Sequence, residues 1–489
     1  MNGLMHLKEL IKGLDYEWVQ GKNCDISDIV IDSRKARVGS MFICTVGKNV
    51  DSHQYIGVAA AAGASAAIVQ TPQDAYPAGM AVVQVGSARK AMSVIASNYN
   101  YNPSSSFNLI GVTGTNGKTS VTYYIESILH EFSHKVGLIG TVDIRVGANK
   151  IAAQNPTSTT PDPIPLQGVF ARMKDERVND VIMEVSSHAL ALDKLEGVKY
   201  QVGVFTNLTR DHLDFHVTME NYAAAKSKLF RMCKYGVANV DDMYFDRIAA
   251  GATCEMITYG ICGECDYKAE GIRYLDDGVA FTVDICGERA DFFIPVKGKF
   301  TVYNALAAIV TAYAMNVPTE VIRKGLSRVK GVPGRVQSVP NDSGKNVIVD
   351  YAHTPDGLAN IISSVRKHTK GRLVTIFGCG GDRDRTKRPL MGKIAGELSD
   401  YCIITSDNPR GENPDDIIAE AEAGIKDTSC GYERITDRRA AIYRGVGILA
   451  KGDSLIIAGK GHENYQELSD RTIEFDDVKI AKEALDGIC

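Results

Sequence analysis

The run Gly111-Val112-Thr113-Gly114-Thr115-Asn116-Gly117-Lys118-Thr119 follows an apolar stretch, NLIGV, and opens a segment of helical pattern. Glycines let backbone N–H groups approach phosphate oxygens, and a helix N-terminus adds a dipole that favours anions. Lys118 would reach the β- and γ-phosphates of a nucleotide, and Thr119 would put a hydroxyl on Mg²⁺. The spacing is irregular: Val112 stands where a phosphate loop usually has its first glycine, and Gly111 and Gly114 are the glycines available. The strand–turn–helix context compensates. Phosphoryl transfer also needs a metal-binding carboxylate at the end of a neighbouring strand, and Asp180-Val181-Ile182-Met183-Glu184 ends in one, Glu184.

Further on, Phe205 to His216 (FTNLTRDHLDFH) places a cluster of polar, chemically capable side chains behind the strand-like run VGVF. His212 could be a metal ligand whose second ring nitrogen is oriented by a carboxylate; the plainer alternative is a turn histidine. Tyr222 and Lys226 are four apart and would share one helical face. By composition alone Lys226 is an exposed helical lysine. A dense cationic stretch, Arg383, Arg385, Lys387 and Arg388, follows the run VTIFGCGG. Such a charge run is often a solvated loop, but its place at the mouth of a parallel sheet favours anion binding.

These groups need a scaffold of several cores. The chain has 489 residues, beyond what one core usually organises. Hydrophobic residues make up 44% and charged residues 23%, and Lys+Arg 55 against Asp+Glu 59 gives a net charge of -4. That balance argues against a general nucleic-acid binder and against disorder. No apolar run approaches the ~20 residues of a membrane helix; the alanine-rich stretch Gly57 to Val69 reads as a buried helix and then a strand. MNGLMHLKELIKGL has a helical pattern and no signal-peptide core, so the expected location is the cytoplasm. Eleven scattered cysteines are no disulfide framework, and the lone C-x-x-C, Cys262 and Cys265, lacks the second pair a zinc site needs.

Short β-rich runs fill residues 1 to about 100, and NYNYNPSSSF reads as a connection. Strands and helices then alternate to about residue 330, as in a parallel α/β sheet. After VKGVPGRVQ the alternation resumes, with helices expected near Pro355, Pro389 and Pro414. Each buried strand ends in Gly, Asp or Ser, as strands that feed functional loops do. The fold class is α/β in three domains, 1–105, 106–332 and 333–489.

Taken together, the blocks GVTGTNGKTS, MEVSSHAL, TNLTRDHLDFH, YAAAKSKLF, GKFTVYNALAA, GVPGRVQ, DYAHTPDGL, FGCGGDRDRTKRPLM, DNPRGENP and IAGKGHENYQ, with IDSRKARVGSMFIC near the start, resemble the Mur ligase family over the whole length. That family has the same shifted glycine spacing. The resemblance implies an N-terminal UDP-binding domain, a central ATPase domain and a C-terminal Rossmann-like domain. It implies ATP and phosphate-side contacts at Gly114, Thr115, Asn116, Gly117, Lys118, Thr119 and Ser120. Further nucleotide contacts fall on Asn304, Arg335 and Asp350. Mg²⁺ would be held by Thr119, Glu184, His212 and Lys226, the last carbamylated by CO₂. Carbamylation turns an ammonium that would repel the metal into an anion that can ligate it. Lys118, Glu184, His212 and Lys226 form the implied catalytic set.

Ser33 and Arg34 match contacts to the uridine-diphosphate end of a UDP-sugar-peptide, and Thr159, Thr160 and Ser186 match contacts to its muramoyl-peptide arm. Lys194 stands where relatives usually carry Arg; it keeps the charge but loses the two-pronged fork. In this family Asp407-Asn408-Pro409-Arg410 marks enzymes that add meso-diaminopimelate. Arg383 matches a contact to the near carboxylate of that amino acid, and Gly459 and Glu463 match contacts to its far amino group. Diaminopimelate resembles lysine with a carboxylate at the far end, which Arg410 can grip bidentately. With lysine, a buried guanidinium would be left unpaired, and such sites reject the deficient analogue by roughly 10⁴-fold.

The implied activity is ATP-dependent amide formation between UDP-N-acetylmuramoyl-L-alanyl-D-glutamate and meso-diaminopimelate through an acyl phosphate, by a monomer with no nucleic-acid or membrane partner. A lysine-adding version of the same enzyme is the nearest alternative. A folate polyglutamate synthase would share the central domain but lack the DNPR and GHE blocks. A nucleotide-binding regulator without ligase activity would not need the full set Lys118, Glu184, His212 and Lys226.

Overall fold

The computed structural model describes residues 4–47, 50–151, 159–275 and 277–487. The chain forms two compact units. One comprises Met1–Gly111, His134–Gly203 and Arg231–Lys234; the other comprises Val112–Ser133, Val204–Phe230 and Tyr235–Cys489. Each unit draws on more than one of the expected segments.

The first unit opens on a five-stranded sheet. Its strands are β1 (Tyr16–Gln20), β2 (Asp28–Val30), β3 (Ser40–Ile43), β4 (Ala66–Val69) and β5 (Ala81–Val85), in the order β1-β5-β4-β3-β2. β2 to β5 pair in parallel, and β1 is an antiparallel edge. β3 and β4 are buried along their whole length, which is why SMFI and AAIV read as uninterrupted apolar runs. The alanine-rich stretch does form a helix, Ile56–Ala61, and then β4, but only Ile56 and Ala59 of that helix are buried. The N-terminal helical pattern gives a single turn, Leu7–Leu10. The same unit holds β6 (Asn108–Thr113), β7 (Val136–Ile139), β8 (Asp180–Glu184) and β9 (Tyr200–Phe205), in the order β7-β8-β6-β9, with the ends of β6 and β9 passing into the second unit.

The second unit carries the helices that follow the loops of interest. α1 (Lys118–Glu131) and α2 (Met219–Ser227) come first. A run of strands, β10 (Cys233–Asn239), β11 (Glu255–Gly260), β12 (Tyr267–Tyr274), β13 (Val279–Ile285) and β14 (Glu288–Ile294), is parallel to β12 and antiparallel thereafter. α3 (Lys299–Ala314) packs on α1 and on β11.

The C-terminal sheet contains β15 (Asn346–Asp350), β16 (Leu373–Phe377), β17 (Tyr401–Ile404), β18 (Gly431–Arg434) and β19 (Ser454–Ala458). Their order is β15-β19-β16-β17-β18, all parallel, so every carboxyl end faces the same way. Side chains alternate between two cores: Ile348, Phe377 and Ile404 join one, while Val347, Val349, Ile376 and Ile403 join the other. Burial on both faces accounts for the continuous hydrophobicity of these strands.

Five helices among the described residues cover this sheet: α4 (Pro355–Arg366), α5 (Lys387–Leu398), α6 (Pro414–Ile425), α7 (Arg438–Gly447) and α8 (Asp477–Asp486). α4 and α6 start at their prolines, capped by Thr354 and Asn413. α5 starts two residues before Pro389, which sits in the first turn, where its missing N–H costs no helical hydrogen bond. Glycines let α5 and α6 come together: a Cβ on Gly392 would strike the Ala421 carbonyl, and one on Gly424 would strike that of Pro389. A hairpin, β20 (Tyr465–Glu467) and β21 (Thr472–Glu474), follows β19.

Candidate active site

The phosphate-loop segment lies between β6 and α1, as the sequence predicts, with Gly114 at φ 152° and Gly117 at φ 86°. Both glycines are required by close neighbours. A Cβ on Gly114 would collide with Thr206 Oγ1, and one on Gly117 would sit 2.5 Å from Asn304 Oδ1 on α3. The segment after β9 clasps the loop. Asn116 N donates to Asn207 Oδ1 (2.9 Å), Asn207 Nδ2 donates to Asn116 O (3.1 Å), and Thr206 Oγ1 donates to the same carbonyl (2.6 Å). Thr115 Oγ1 accepts from Thr209 N (3.0 Å). The loop's backbone is therefore fixed by its neighbours at the N-terminus of α1, the place where backbone N–H groups and the helix dipole favour a phosphate. Thr119 and Ser120 are buried at the start of α1. Arg335 Nη2 donates to Thr119 Oγ1 (3.2 Å), and its guanidinium lies 4.3 Å over the Tyr351 ring.

Two lysines converge on this loop. Lys118 Nζ donates to Gly114 O (3.0 Å) and Thr115 O (2.9 Å), and Lys226 Nζ donates to the same Gly114 carbonyl (2.8 Å). Lys226 shares a face of α2 with Tyr222, its Nζ 4.7 Å from the ring centre. The composition-based picture of an exposed lysine is wrong: Lys226 is only 1% exposed. The helix is too short to show this as periodicity, and its burial comes from distant loops. Desolvation, with the neighbouring charge of Lys118, holds the Lys226 amine well below the usual lysine range.

Asp211 completes this side. It is buried, 3.3 Å from His212 Nε2 and 3.7 Å from both His353 Nε2 and Lys387 Nζ. Burial pushes its carboxyl up, but His353, His212 and Lys387 outweigh that and hold it well below the ordinary value. His212 itself is in the left-handed region at φ 54°. Asn116 Nδ2 also donates to Asp356 Oδ2 (3.0 Å) on α4. Asp350 ends β15, with Oδ2 accepting from Val336 N (2.7 Å) and Oδ1 from Ala352 N (2.8 Å), so it braces the turn that carries Arg335. Burial raises its carboxyl despite Arg335.

In the first unit Glu184 ends β8, as expected, and accepts from Thr141 N (3.0 Å) and Thr141 Oγ1 (2.9 Å). Thr141 Oγ1 also donates to Thr159 Oγ1 (3.1 Å). Thr160 Oγ1 donates to Glu184 O (2.8 Å) and accepts from Ser186 N (2.9 Å). The structure thus gathers Glu184, Thr159, Thr160 and Ser186. Lys194 pairs with Asp162 at 2.6 Å. Ser33 is buried, and Arg34 is exposed and paired with Asp32. Glu184 belongs to one unit, and His212 and Lys226 belong to the other.

At the carboxyl ends of β17 and β19 a second polar cluster forms. Lys460 is completely buried, and its Nζ donates to Asn408 Oδ1 (2.9 Å) and Glu463 Oε2 (2.8 Å). Asn408 Nδ2 donates to the same Glu463 oxygen (2.9 Å). Asp407 is buried; desolvation raises its carboxyl, but Lys460 and Arg438 overcome this and lower it. A Cβ on Gly459 (φ 119°) would strike Asp407 Oδ2. Pro409 opens the turn that carries Arg410, its carbonyl accepting from Glu412 N (3.0 Å). Arg438, buried, forms a two-pronged pair with Asp477 (2.9 and 2.7 Å) and donates to Ala458 O (3.1 Å), bracing the end of β19.

Half of the cationic stretch, Lys387 and Arg388, is internal. Arg388 is 0% exposed and bonded to Glu412 and Glu420, and Arg385 pairs with Glu420. Arg383 and Arg385 are exposed, Arg383 donating to the Asp382 carbonyl (3.2 Å). Charge runs carry no information on distant carboxylates, so the sequence did not show which of these cations are paired internally. Arg410 also differs from expectation. It is partly exposed, its Nε lies 2.8 Å from Glu467 Oε2, and its Nη1 donates to Gly381 O (3.0 Å).

Sequence reasoning missed Asp211, Asn207, Lys460, Arg438 and Glu467 as members of these clusters. Asp211 and Asn207 were within a block already singled out, and Lys460 lies between two site residues in GKGHE. Arg438 and Glu467 carried no local signal.

Family models describing a Mur ligase family catalytic domain, a Mur ligase middle domain and a Mur ligase glutamate ligase domain match residues 25–100, 112–312 and 334–461. The UDP-N-acetylmuramoyl-L-alanyl-D-glutamate--2,6-diaminopimelate ligase of Caldanaerobacter subterraneus subsp. tengcongensis is 45% identical over 482 residues, 98% of this chain and 99% of that protein. The protein of that name from Clostridioides difficile is 44% identical over 486 residues, 98% and 99% of the two chains. A solved structure of a ligase with that name superposes with a TM-score of 0.69 at 30% identity, covering 99% of both chains.

Proposed function

The chain belongs to the Mur ligase family, and from that premise we propose that it joins meso-diaminopimelate to UDP-N-acetylmuramoyl-L-alanyl-D-glutamate at the cost of ATP, in peptidoglycan precursor synthesis. The observation that carries the ATP half of this reading is the convergence of Lys118 and Lys226 on the Gly114 carbonyl of a glycine loop braced from outside. A D-glutamyl carboxylate is a poor electrophile because its leaving group would be oxide. Its oxygen attacks the γ-phosphorus of ATP, the bond to the ADP oxygen breaks, and an acyl phosphate forms. The amine of diaminopimelate then attacks the carbonyl carbon, loses its proton and expels phosphate.

Lys118 stabilises the charge gathered between the carboxylate and the γ-phosphate. Gly114, Thr115, Asn116, Gly117 and Ser120 supply the loop around the phosphates, and Asn304, Arg335 and Asp350 line the rest of the nucleotide's site. Thr119, His212 and Lys226 would hold Mg²⁺, which would offset the phosphate charge, and Glu184, in the other unit, ends its strand with the kind of carboxylate such a metal takes. Lys226 suits that role as a carbamate. Its buried amine is held toward the neutral form, which can add to CO₂ with release of one proton. Ser33, Arg34, Thr159, Thr160, Ser186 and Lys194 take the UDP-sugar-peptide. Asp407, Asn408, Arg410, Gly459 and Glu463, with Arg383, take diaminopimelate; Glu463 Oε2 is occupied by Lys460 and Asn408, which leaves Oε1 for an ammonium.

On the domain limits 1–105, 106–332 and 333–489, the residues assigned to the UDP-sugar-peptide fall in the first two parts, those assigned to ATP in the last two, and those assigned to diaminopimelate in the third. All named groups lie on one chain, so a monomer suffices. Among the described residues no helix is long and apolar enough to cross a membrane. The nucleotide-linked substrates support a cytoplasmic site of action. The decisive experiment measures phosphate release with ATP, the muramoyl-dipeptide nucleotide and each amino acid in turn. Release that depends on diaminopimelate is expected, and no release with any amino acid would sink the reading.

A further inference from the structure

Arg410 already has an anionic partner. Its Nε lies 2.8 Å from Glu467 Oε2, and both side chains are about a quarter exposed, 25% and 29%. Glu467 holds the same loop through its backbone: its carbonyl accepts from Arg410 N (3.2 Å), and its N–H donates to Asn408 Oδ1 (3.0 Å). With Nε and Nη1 engaged, the guanidinium keeps Nη2 and the second hydrogen of Nη1 for a ligand, one edge of the fork. In this chain a lysine acceptor would therefore not leave the guanidinium bare, because Glu467 already pairs with it.

We infer that Glu467 is a specificity-determining residue: it sets the contrast between an acceptor whose far end is a zwitterion and one whose far end is a cation only. This rests on the reading that Arg410 receives the far carboxylate of diaminopimelate. Glu467 repels that carboxylate and partly neutralises Arg410, so it weakens the zwitterionic acceptor. Toward a lone ammonium its effect is reversed, because it supplies an attraction and cancels the repulsion from Arg410. Both effects lower the preference for diaminopimelate over lysine. Glu467 acts through Arg410 and through the field at the far end, not on the reacting atoms, so it should alter KM rather than kcat.

The test uses the full-length enzyme with ATP and the muramoyl-dipeptide nucleotide, measuring kcat and KM for meso-diaminopimelate and for L-lysine in wild type and Glu467→Gln. Glutamine keeps an oxygen that can accept from Arg410 Nε, so the guanidinium stays oriented while the charge is lost. The ratio of kcat/KM for diaminopimelate to that for lysine should rise on the order of tenfold, about what one charge-assisted contact is worth. The rise should come from a lower KM for diaminopimelate and a higher KM for lysine, with kcat little changed. A ratio that stays the same or falls, or a change confined to kcat, would overturn the inference. Failure of wild type to use diaminopimelate would instead overturn the proposed function, so the two failures are distinguishable.

Discussion

Lys226 donates a 2.8 Å hydrogen bond to the Gly114 carbonyl, 112 residues earlier in the chain. An amine buried in this way, with Lys118 on the same carbonyl, is poised to be neutral and nucleophilic toward CO₂. Replacing Lys226 by Ala should abolish phosphate release, with partial return on adding a short carboxylic acid that can take the carbamate's place. A fully active alanine variant would refute carbamylation.

The same lysine makes stability depend on pH in CO₂-free buffer. Its folded-state pKa is lowered, so the unfolded chain binds more protons, and stability should rise as pH climbs from the folded value toward the ordinary 10.5. Urea midpoints should show this rise in wild type and a flatter profile in Lys226→Met. A mutant as steep as wild type would show that Lys226 keeps an ordinary pKa.

Asp211 gives the opposite case. Its folded pKa is lowered, so its ionised form contributes stability that is fully present above 3.8 and is lost as pH falls through the lower folded value. Asp211→Asn leaves His212, His353 and Lys387 without their shared anion. It should cost about 2 kcal/mol near neutrality, with the gap to wild type closing in acid. Chemical denaturation across pH 2–7 measures both, and a constant gap would count against the assignment.

Val217 stands just before α2 with φ 68° and is 73% exposed. A β-branched residue pays for that backbone and gains little from burial here. Val217→Gly should raise stability by about 1 kcal/mol, read as an increase in the urea midpoint at constant slope. A decrease would mean that the side chain contributes more than its exposure suggests.

Arg438 and Asp477 are both fully buried and joined by two hydrogen bonds. Asp477→Asn should cost about 3–5 kcal/mol, because the guanidinium stays buried without its counter-charge. The end of β19, with Gly459 and Lys460, should loosen with it. Hydrogen exchange of the Ala458 to Glu463 amides is the direct measurement.

What could be read from sequence follows from which forces are local. The strand–turn–helix around Lys118 was legible because glycine, lysine and threonine sit within one loop. So were the helix starts at Pro355 and Pro414, where proline and a capping side chain act within one turn. The parallel strands were legible because burial on both faces writes itself as continuous apolar runs. The polar partners were not. Arg388 looks like Arg383 in sequence, yet one is sealed against Glu412 and Glu420 and the other is exposed. Lys226, Asp211 and Glu467 take their character from residues tens to hundreds of positions away, brought together by the ends of strands, and hydrophobic periodicity records none of that.

The glycine contact between α5 and α6 bears on more than packing. The loop that carries Arg383 leads into α5, and the loop that carries Arg410 leads into α6. With Gly392 against Ala421 and Gly424 against Pro389, the two helices touch backbone to backbone, with no room for a side chain between them. On the proposed function, the spacing between the two arginine loops would be a calliper set by the scaffold, and an acceptor amino acid would be gauged by its length as well as by its charges. Homologues of diaminopimelate one methylene longer or shorter carry every charge the site can ask for and would still be the wrong size for its jaws.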